Sequence, residues 1–120
     1  MDLEIDNKKI GRSYRPYIIA ELSANHGGSI EDAKKGILLA KKSGASAVKI
    51  QSYTPETMTI KCNKTDFQIK SGLWKGHNLF ELYEKAYTPF EWHKDLFQYS
   101  KDIGITLFST PFDETAVKLL

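Results

Sequence analysis

The sequence is poor in several features that define large classes of protein. It holds one cysteine, Cys62, in 120 residues, so no internal disulfide can form and a reducing compartment is indicated. No catalytic motif surrounds Cys62, which we interpret as a passive thiol. No run approaches the roughly 20 apolar residues of a membrane helix, and residues 1–11 are too polar for a secretory signal. These absences predict a cytoplasmic protein without a membrane partner.

An excess of charge of either sign is also missing. The 17 lysines and arginines and 15 acidic residues give a net charge of +2, with the two signs interspersed. There is no basic tract of the kind that binds nucleic acid, so we expect no such partner. The contents of 41% hydrophobic and 27% charged residues are ordinary for a globular domain.

Strand-like and helix-like apolar patterns alternate along the chain. The predicted strands are Tyr17–Glu21, Ala45–Gln51 and Ile105–Ser109. The predicted helices are Ile30–Ser43, Leu79–Glu84, one from Thr88 towards Gly104, and one opened by Thr110–Asp113. A lead-in over Lys8–Tyr14 turns at Gly11. This order favours parallel strands joined by right-handed crossovers.

Helix boundaries are indicated by particular residues. Ser29 is a natural N-cap, and Gly44 is placed to end the same helix as a C′ glycine. The strongest start signal is Thr88 at the N-cap, followed by Pro89 at N1 and Glu91 at N3. The segment Ser52–Gly76 has no regular hydrophobic periodicity of a helix or a strand. A connection of that length is usually functional or disordered.

Two architectures fit this order, an open doubly wound sheet and part of a (β/α)8 TIM barrel. No Gly-x-Gly-x-x-Gly follows the first strand, which disfavours a dinucleotide fold. A barrel needs roughly 250 residues, so the chain supplies about the first three βα units. We expect an α/β fold with a lead-in over residues 1–15. Residues 16–120 would form the N-terminal part of a TIM-barrel domain whose remainder lies outside this chain.

Lys49 is the most informative residue of the predicted strands. A strand buried on both faces should be apolar throughout, and an unpaired buried charge is costly. Lys49 therefore either extends its ammonium to solvent or binds an anion. Parallel α/β folds bind ligands at the carboxyl ends of their strands, where Glu21, Gln51 and Thr110 also fall. Polar residues at three consecutive strand ends predict a ligand-binding site.

Three segments resemble the sialic acid synthase family. They are Ile18–Ser29 (IIAELSANHGGS), Val48–Gln51 (VKIQ) and Phe108–Phe112 (FSTPF), in the family's order and at similar spacing. The resemblance covers about residues 16–120 and implies that family's barrel fold.

Within the family, the chain is most similar to the branch that makes pseudaminic acid. The similarity lies in Ala20–His26, Gly72–Trp74 and Glu81–Glu84. The neuraminate and legionaminate branches usually have Glu-Ile-Gly after the first strand. Thr110 does not support this choice, because pseudaminic acid synthases often carry Ser there.

The resemblance implies a transferase reaction that joins phosphoenolpyruvate, an open-chain acetamido sugar and water into a nine-carbon 2-keto acid, with release of phosphate. For the pseudaminic branch the sugar is a 2,4-diacetamido-2,4,6-trideoxyhexose. A divalent cation, Mn²⁺ or Mg²⁺, is implied as the cofactor. Its ligands are expected on later strands, so no metal ligand is predicted here. The full-length protein is expected to be a homodimer.

Roles follow for the strand-end residues. Lys49 is implied as the cation on the phosphate of phosphoenolpyruvate. Thr110, placed before a predicted helix N-terminus, would add a hydroxyl and free amides for phosphate oxygens. Glu21 would orient the sugar or water, or act as a general base. Alternatively, it simply pairs with Lys49 across adjacent strands. Gln51 would bond sugar hydroxyls or an acetamido group.

The first βα loop contributes Asn25 and His26, which are predicted to contact the sugar, with a loop-structuring role as the alternative for His26. His77 and His93 are predicted to be solvated. Two other functions stay open, namely a non-catalytic barrel module and an aldolase-type barrel. The latter would need a Schiff-base lysine in a dry pocket.

Overall fold

The computed structural model describes residues 3–120, which form a parallel sheet covered by helices and preceded by a hairpin. The strands are β1 (Leu3–Ile5), β2 (Lys8–Ile10), β3 (Ile19–Ser23), β4 (Ala47–Ser52) and β5 (Thr106–Pro111). The helices are α1 (Ile30–Lys42), α2 (Pro55–Met58), α3 (Leu79–Ala86), α4 (Phe90–Ile103) and α5 (Glu114–Leu119), with a 3₁₀ turn at Thr65–Phe67. No helix among residues 3–120 is long and apolar enough to cross a membrane.

The three predicted strands lie side by side as a parallel sheet in the order β3-β4-β5. The parallel pairing predicted from the alternation is therefore confirmed. The first strand lies about two residues later than predicted, at Ile19–Ser23. In the register, Glu21 is opposite Lys49 and Gln51 is opposite Thr110.

The core fills the space between one face of this sheet and the helices. The strands contribute Val48, Ile50 and Leu107. The helices contribute Ala33, Ile37 and Leu96. Helix α1 begins after Ser29, whose side chain accepts a hydrogen bond from the Asp32 amide. Gly44, with φ of 90°, follows its last turn. Both boundary predictions are confirmed.

The predicted start of α4 is wrong in one respect. Thr88 does not cap the helix, which begins at Phe90 after Pro89 and has no side-chain cap. The Thr88 hydroxyl is instead 3.1 Å from Nε2 of His26, in a buried contact. This partner is 62 residues away in the sequence, so local capping rules could not identify it. The predicted end at Gly104 is confirmed by its left-handed φ of 73°.

The lead-in contains structure that the sequence patterns did not indicate. Strands β1 and β2 form an antiparallel hairpin around Asp6 and Asn7, both of which have positive φ. These residue types tolerate the left-handed region that a two-residue hairpin turn needs. The Asp6 carboxylate accepts a hydrogen bond from the Thr106 hydroxyl at the start of β5. The predicted turn at Gly11 is present, with its carbonyl bonded to the Tyr14 amide.

The long connection between β4 and α4 is ordered. It holds α2, the 3₁₀ turn and α3, whose first turn is closed by a capping box between Asn78 and Glu81. The ring of Tyr53 packs edge-on against Tyr83 of α3 and Phe112 beyond β5. These contacts hold the connection against the end of the sheet where the predicted site residues lie.

We predict that the 120-residue chain by itself self-associates. The sheet face opposite the helices exposes Ile19 and Phe108, and no further strand among residues 3–120 pairs with β3 or β5. Replacing both residues by Thr removes apolar area while keeping strand propensity. Sedimentation velocity should then show less association.

The control is Ile60→Thr, which removes an even more exposed isoleucine from the connection after α2. It should leave association unchanged. A monodisperse wild-type monomer with cooperative unfolding would contradict the prediction.

Candidate functional site

The four predicted strand-end residues lie on one face of the parallel sheet. In β4, Val48 and Ile50 are buried against the helices, whereas Lys49 and Gln51 are only partly buried on the opposite face. Side chains alternate along a strand, and paired positions share a face. Glu21, opposite Lys49, and Thr110, opposite Gln51, therefore complete a polar group at the carboxyl ends of three strands.

Glu21 and Lys49 form an ion pair across β3 and β4. Oε2 of Glu21 is 2.7 Å from Nζ of Lys49, and the two side chains remain 40% and 32% exposed. The alternative in which these residues pair is therefore what the structure shows. Partial exposure means that the pair meets solvent and that a ligand can reach both groups.

The other carboxylate oxygen of Glu21 is bound by Ser23. The Ser23 amide lies 3.1 Å and its hydroxyl 2.9 Å from Oε1. Burial alone would raise the pKa of Glu21, but the hydrogen bonds from Lys49 and Ser23 and the charge of Lys49 outweigh burial and lower it. Glu21 is therefore an ionised, oriented carboxylate at neutral pH.

Ser23 is a site residue that the sequence reasoning missed. The register shifts between Glu21 and Ser23, and Ser23 has φ of 51°, a conformation that L-residues other than Asn and Asp rarely adopt. Strained backbone of this kind clusters at functional sites. A serine two residues after a glutamate carries no sequence signal, because its role depends on the bulge.

Thr110 does not stand at a helix N-terminus, so that part of its predicted phosphate site is wrong. Strand β5 continues to Pro111, and α5 starts only at Glu114. The carboxylate of Asp113 caps the helix by accepting from the amides of Thr115 and Ala116 at 3.1 Å. Those amides already donate to Asp113, so they are not free to bind a phosphate. Thr110 retains its hydroxyl, which shares the ligand-accessible face with Gln51.

The residues of the first βα loop make contacts within the protein. His26 is 2% exposed, and its Nδ1 accepts from the Gly28 amide while Nε2 faces the Thr88 hydroxyl. Burial lowers the pKa of His26, so the ring is neutral. Asn25 donates from its side chain to the Leu22 carbonyl. These contacts match the loop-structuring alternative, and the sugar contacts of both residues remain predictions.

The prediction that His93 is solvated is wrong. Its ring is 3% exposed, with Nε2 at 2.6 Å from the Ser52 hydroxyl and Nδ1 at 3.1 Å from the Pro89 carbonyl. Helical position alone did not show that this face of α4 packs on the end of β4. His77 is partly exposed and lies 3.3 Å from Glu81.

Comparison with known proteins identifies the family. A model of the NeuB family matches residues 36–120, more than half of the chain. The chain belongs to the NeuB family. The matched part contains Lys49, Gln51 and Thr110.

Two synthases of one bacterium are similar to most of the chain. It is 54% identical to the pseudaminic acid synthase of Campylobacter jejuni and 36% identical to the N,N'-diacetyllegionaminic acid synthase of that organism, each over 104 residues. These alignments cover 87% and 86% of the chain. The chain spans 30% and 31% of the lengths of these two relatives.

A solved structure shows the same arrangement of elements. The N-acetylneuraminic acid synthetase of Leptospira borgpetersenii, crystallised with citrate, superimposes with a TM-score of 0.78 at 27% identity. The match covers all of this chain and 37% of the other. The chain thus has the α/β fold of sialic acid synthases.

The described residues of this NeuB-family chain do not fit a divalent cation. Among residues 3–120 no group of three or more His, Cys, Asp or Glu side chains could hold a metal ion. Glu21 is the acidic member of the strand-end group, and both of its oxygens are engaged. A hard cation needs several oxygen ligands, and this site does not provide them. No catalytic step is therefore assigned to a metal here.

We predict that Ser23→Ala raises the pKa of Glu21, because a donor to the charged form is lost. Ser23→Gly should raise it as well, since it lacks the same hydroxyl. The two variants should differ in stability, with glycine more stable by about 1 kcal/mol because it relieves the positive φ.

The pKa is measured by NMR titration of the Glu21 carboxyl carbon, and stability by chemical denaturation. An unchanged pKa in both variants would show that the hydroxyl does not help to hold the carboxylate.

Proposed function

We propose that the chain is the N-terminal part of a nonulosonic acid synthase with a complete (β/α)8 barrel. This enzyme condenses phosphoenolpyruvate with a 2,4-diacetamido-2,4,6-trideoxyhexose and water, giving pseudaminic acid and phosphate. The observation that carries this proposal is the accessible Glu21–Lys49 pair at the strand ends of a NeuB-family fold. The higher identity to the pseudaminic acid synthase than to the legionaminic acid synthase supports the choice of sugar.

Lys49 is the group proposed to bind the phosphate of phosphoenolpyruvate. Its ammonium already meets an anion, the Glu21 carboxylate, at 2.7 Å. A phosphate carries more negative charge than one carboxylate and offers more acceptor oxygens, so it competes for the same cation. Because Lys49 is partly exposed, it can turn towards the ligand without the cost of desolvating a buried charge.

Glu21 is proposed to act on the sugar or water. When Lys49 turns to phosphate, Oε2 of Glu21 loses its partner, whereas Ser23 still holds Oε1 in place. The freed oxygen becomes a better proton acceptor, because the loss of a neighbouring cation raises a carboxyl pKa. An oriented carboxylate with a free oxygen suits general base catalysis as water adds to the carbon that carries the phosphate, from which the phosphate then leaves.

Gln51 and Thr110 are proposed to bind the uncharged part of the ligands. These two residues are paired in the strand register, with Gln51 two residues beyond Lys49. They supply an amide and a hydroxyl, both able to donate and accept hydrogen bonds. Such groups match sugar hydroxyls and acetamido oxygens. Asn25 and His26 are proposed to support this end through the loop that they structure.

A Schiff-base mechanism at Lys49 is less well supported. An imine-forming lysine must lose its proton in a dry pocket, whereas Lys49 is one-third exposed and ion-paired. The divalent cation and the homodimer expected from the family would depend on chain outside residues 3–120.

We predict that Lys49→Ala in the full-length enzyme lowers kcat/KM for phosphoenolpyruvate by about 10- to 100-fold, the effect of losing one charge-assisted hydrogen bond. Lys49→Arg should also be poor, because a planar fork does not replace a compact ammonium. Steady-state phosphate release measures both.

Lys34→Ala is the matched control, since Lys34 forms an ion pair of 3.4 Å with Glu31 on the surface of α1. It should behave as wild type. Wild-type kinetics in folded Lys49→Ala would remove Lys49 from the site.

We predict that the full-length enzyme prefers the trideoxy sugar to N-acetylmannosamine. The connection after β4 exposes Leu73, an apolar side chain suited to a 6-methyl group where a 6-hydroxyl would want a hydrogen bond. Phosphate release is followed with phosphoenolpyruvate, Mn²⁺ and each sugar in turn. Equal or better turnover of N-acetylmannosamine would contradict the choice of sugar, and no release with any sugar would favour a non-catalytic module.

A further inference from the structure

A second polar cluster lies on the helix side of the sheet, directly behind the site. It consists of Ser52 at the end of β4, His93 of α4 and Ser109 of β5, which we call the serine–histidine network. The Ser52 hydroxyl is 2.6 Å from Nε2 of His93 and 2.6 Å from the Ser109 hydroxyl. Ser52 is fully buried. Hydroxyls and an imidazole are costly to place in a core, so their presence needs a reason.

The protons of the network can be assigned. Nδ1 of His93 faces the Pro89 carbonyl, which only accepts, so Nδ1 carries the proton. Burial lowers the pKa of His93 despite hydrogen bonds that oppose this, so the ring is neutral and Nε2 accepts from Ser52. The Ser109 hydroxyl then donates to Ser52, with the Ile50 carbonyl at 3.2 Å as a second acceptor. Every polar atom has a partner.

The network continues to the first βα loop. Thr88, next to Pro89 in the chain, is 3.1 Å from Nε2 of His26, whose Nδ1 accepts from the Gly28 amide. Hydrogen bonds and one peptide unit thus link the loop after β3, the start of α4, and the ends of β4 and β5. Three of these contacts, His26–Thr88, Ser52–His93 and Ser52–Ser109, join parts of the fold that are distant in sequence.

Ser52 and His93 have the contact of a nucleophile and its base, but the pair cannot act on a substrate. Ser52 points away from the ligand-accessible face and is sealed beneath α4. Its place in the chain is more informative. Ser52 directly follows Gln51, and Ser109 directly precedes Thr110. Adjacent strand residues point to opposite faces, so the hydroxyl pair behind the sheet fixes the backbone that carries the two side chains in front.

We propose that Ser52, Ser109 and His93 are positioning residues that hold Gln51 and Thr110 in the geometry needed to bind substrate. This inference rests on the proposed function, because it assigns Gln51 and Thr110 to the ligands. An apolar core at these positions would stabilise the fold equally well. A directional hydrogen-bond network adds a fixed register between two strand ends, which a site of oriented polar groups requires.

The test compares three serine-to-alanine variants in the full-length enzyme. Ser52→Ala and Ser109→Ala break the network. Ser100→Ala is the matched control, because Ser100 is equally buried but its hydroxyl donates to the Leu96 carbonyl within α4. We expect Ser52→Ala to lower kcat/KM for the sugar by about 10-fold or more, as small misplacements of site groups do. Ser100→Ala should stay within about twofold of wild type, even at a similar loss of Tm.

The two network variants should also be non-additive. Either substitution interrupts the same chain of hydrogen bonds, so the double variant should lose little more than Ser52→Ala. If Ser52→Ala does not fold, Ser109→Ala provides the same comparison from the partly buried end of the network. Losses that simply add, or kinetics equal to those of Ser100→Ala, would overturn the proposal.

Hydrogen exchange separates this inference from the proposed function, because it needs no substrate. Ser52→Ala should increase amide exchange in peptides covering residues 50–54 and 109–113, whereas Ser100→Ala should increase it only in α4. If wild-type enzyme releases no phosphate with any sugar, the proposed function fails but the exchange result still decides whether the network positions these strand ends. Unchanged exchange at the strand ends would overturn the positioning role.

Discussion

The pairing of β4 with strands on both sides is the constraint on which the rest of the structure depends. As the central strand, β4 satisfies its backbone through β3 and β5, and its side chains separate into two environments. One face meets α1 and α4 and is filled by Val48 and Ile50. The other face carries Lys49 and Gln51, which are partly exposed. A shift of one residue would bury the lysine and expose the core.

The carboxylate of Glu21 is held in place by hydrogen bonds to both of its oxygens. Lys49 takes one oxygen of Glu21 and Ser23 takes the other, so the carboxylate is fixed before any ligand arrives. The cost is the left-handed backbone at Ser23, a strain that the surrounding sheet must offset. In the proposed function, an anionic phosphate competes with Glu21 for Lys49, so phosphate binding would free one oxygen of Glu21 to act as a base.

The polar residues on the helix side of the sheet are also held by hydrogen bonds. His26 and His93 are both neutral and buried, and each bonds to one of two adjacent residues, Thr88 and Pro89. Through them the start of α4 is tied to the loop after β3 and to the end of β4. The front of the site has charge and access to solvent, whereas the back has fully paired neutral groups. Exchanging the two environments would leave either a buried charge or an unanchored strand end.

The sequence by itself determined the parallel strand–helix alternation, the caps at Ser29 and Gly44, and the polar strand ends at Glu21, Lys49, Gln51 and Thr110. Each of these depends on periodicity or on neighbours within a few residues, which local rules capture. Only the tertiary structure decided the role of Ser23, the use of Thr88 as a partner of His26, and the burial of His93 against Ser52. These depend on a bulge in the backbone or on contacts between residues more than 40 positions apart, whose energies no local pattern of residue types encodes.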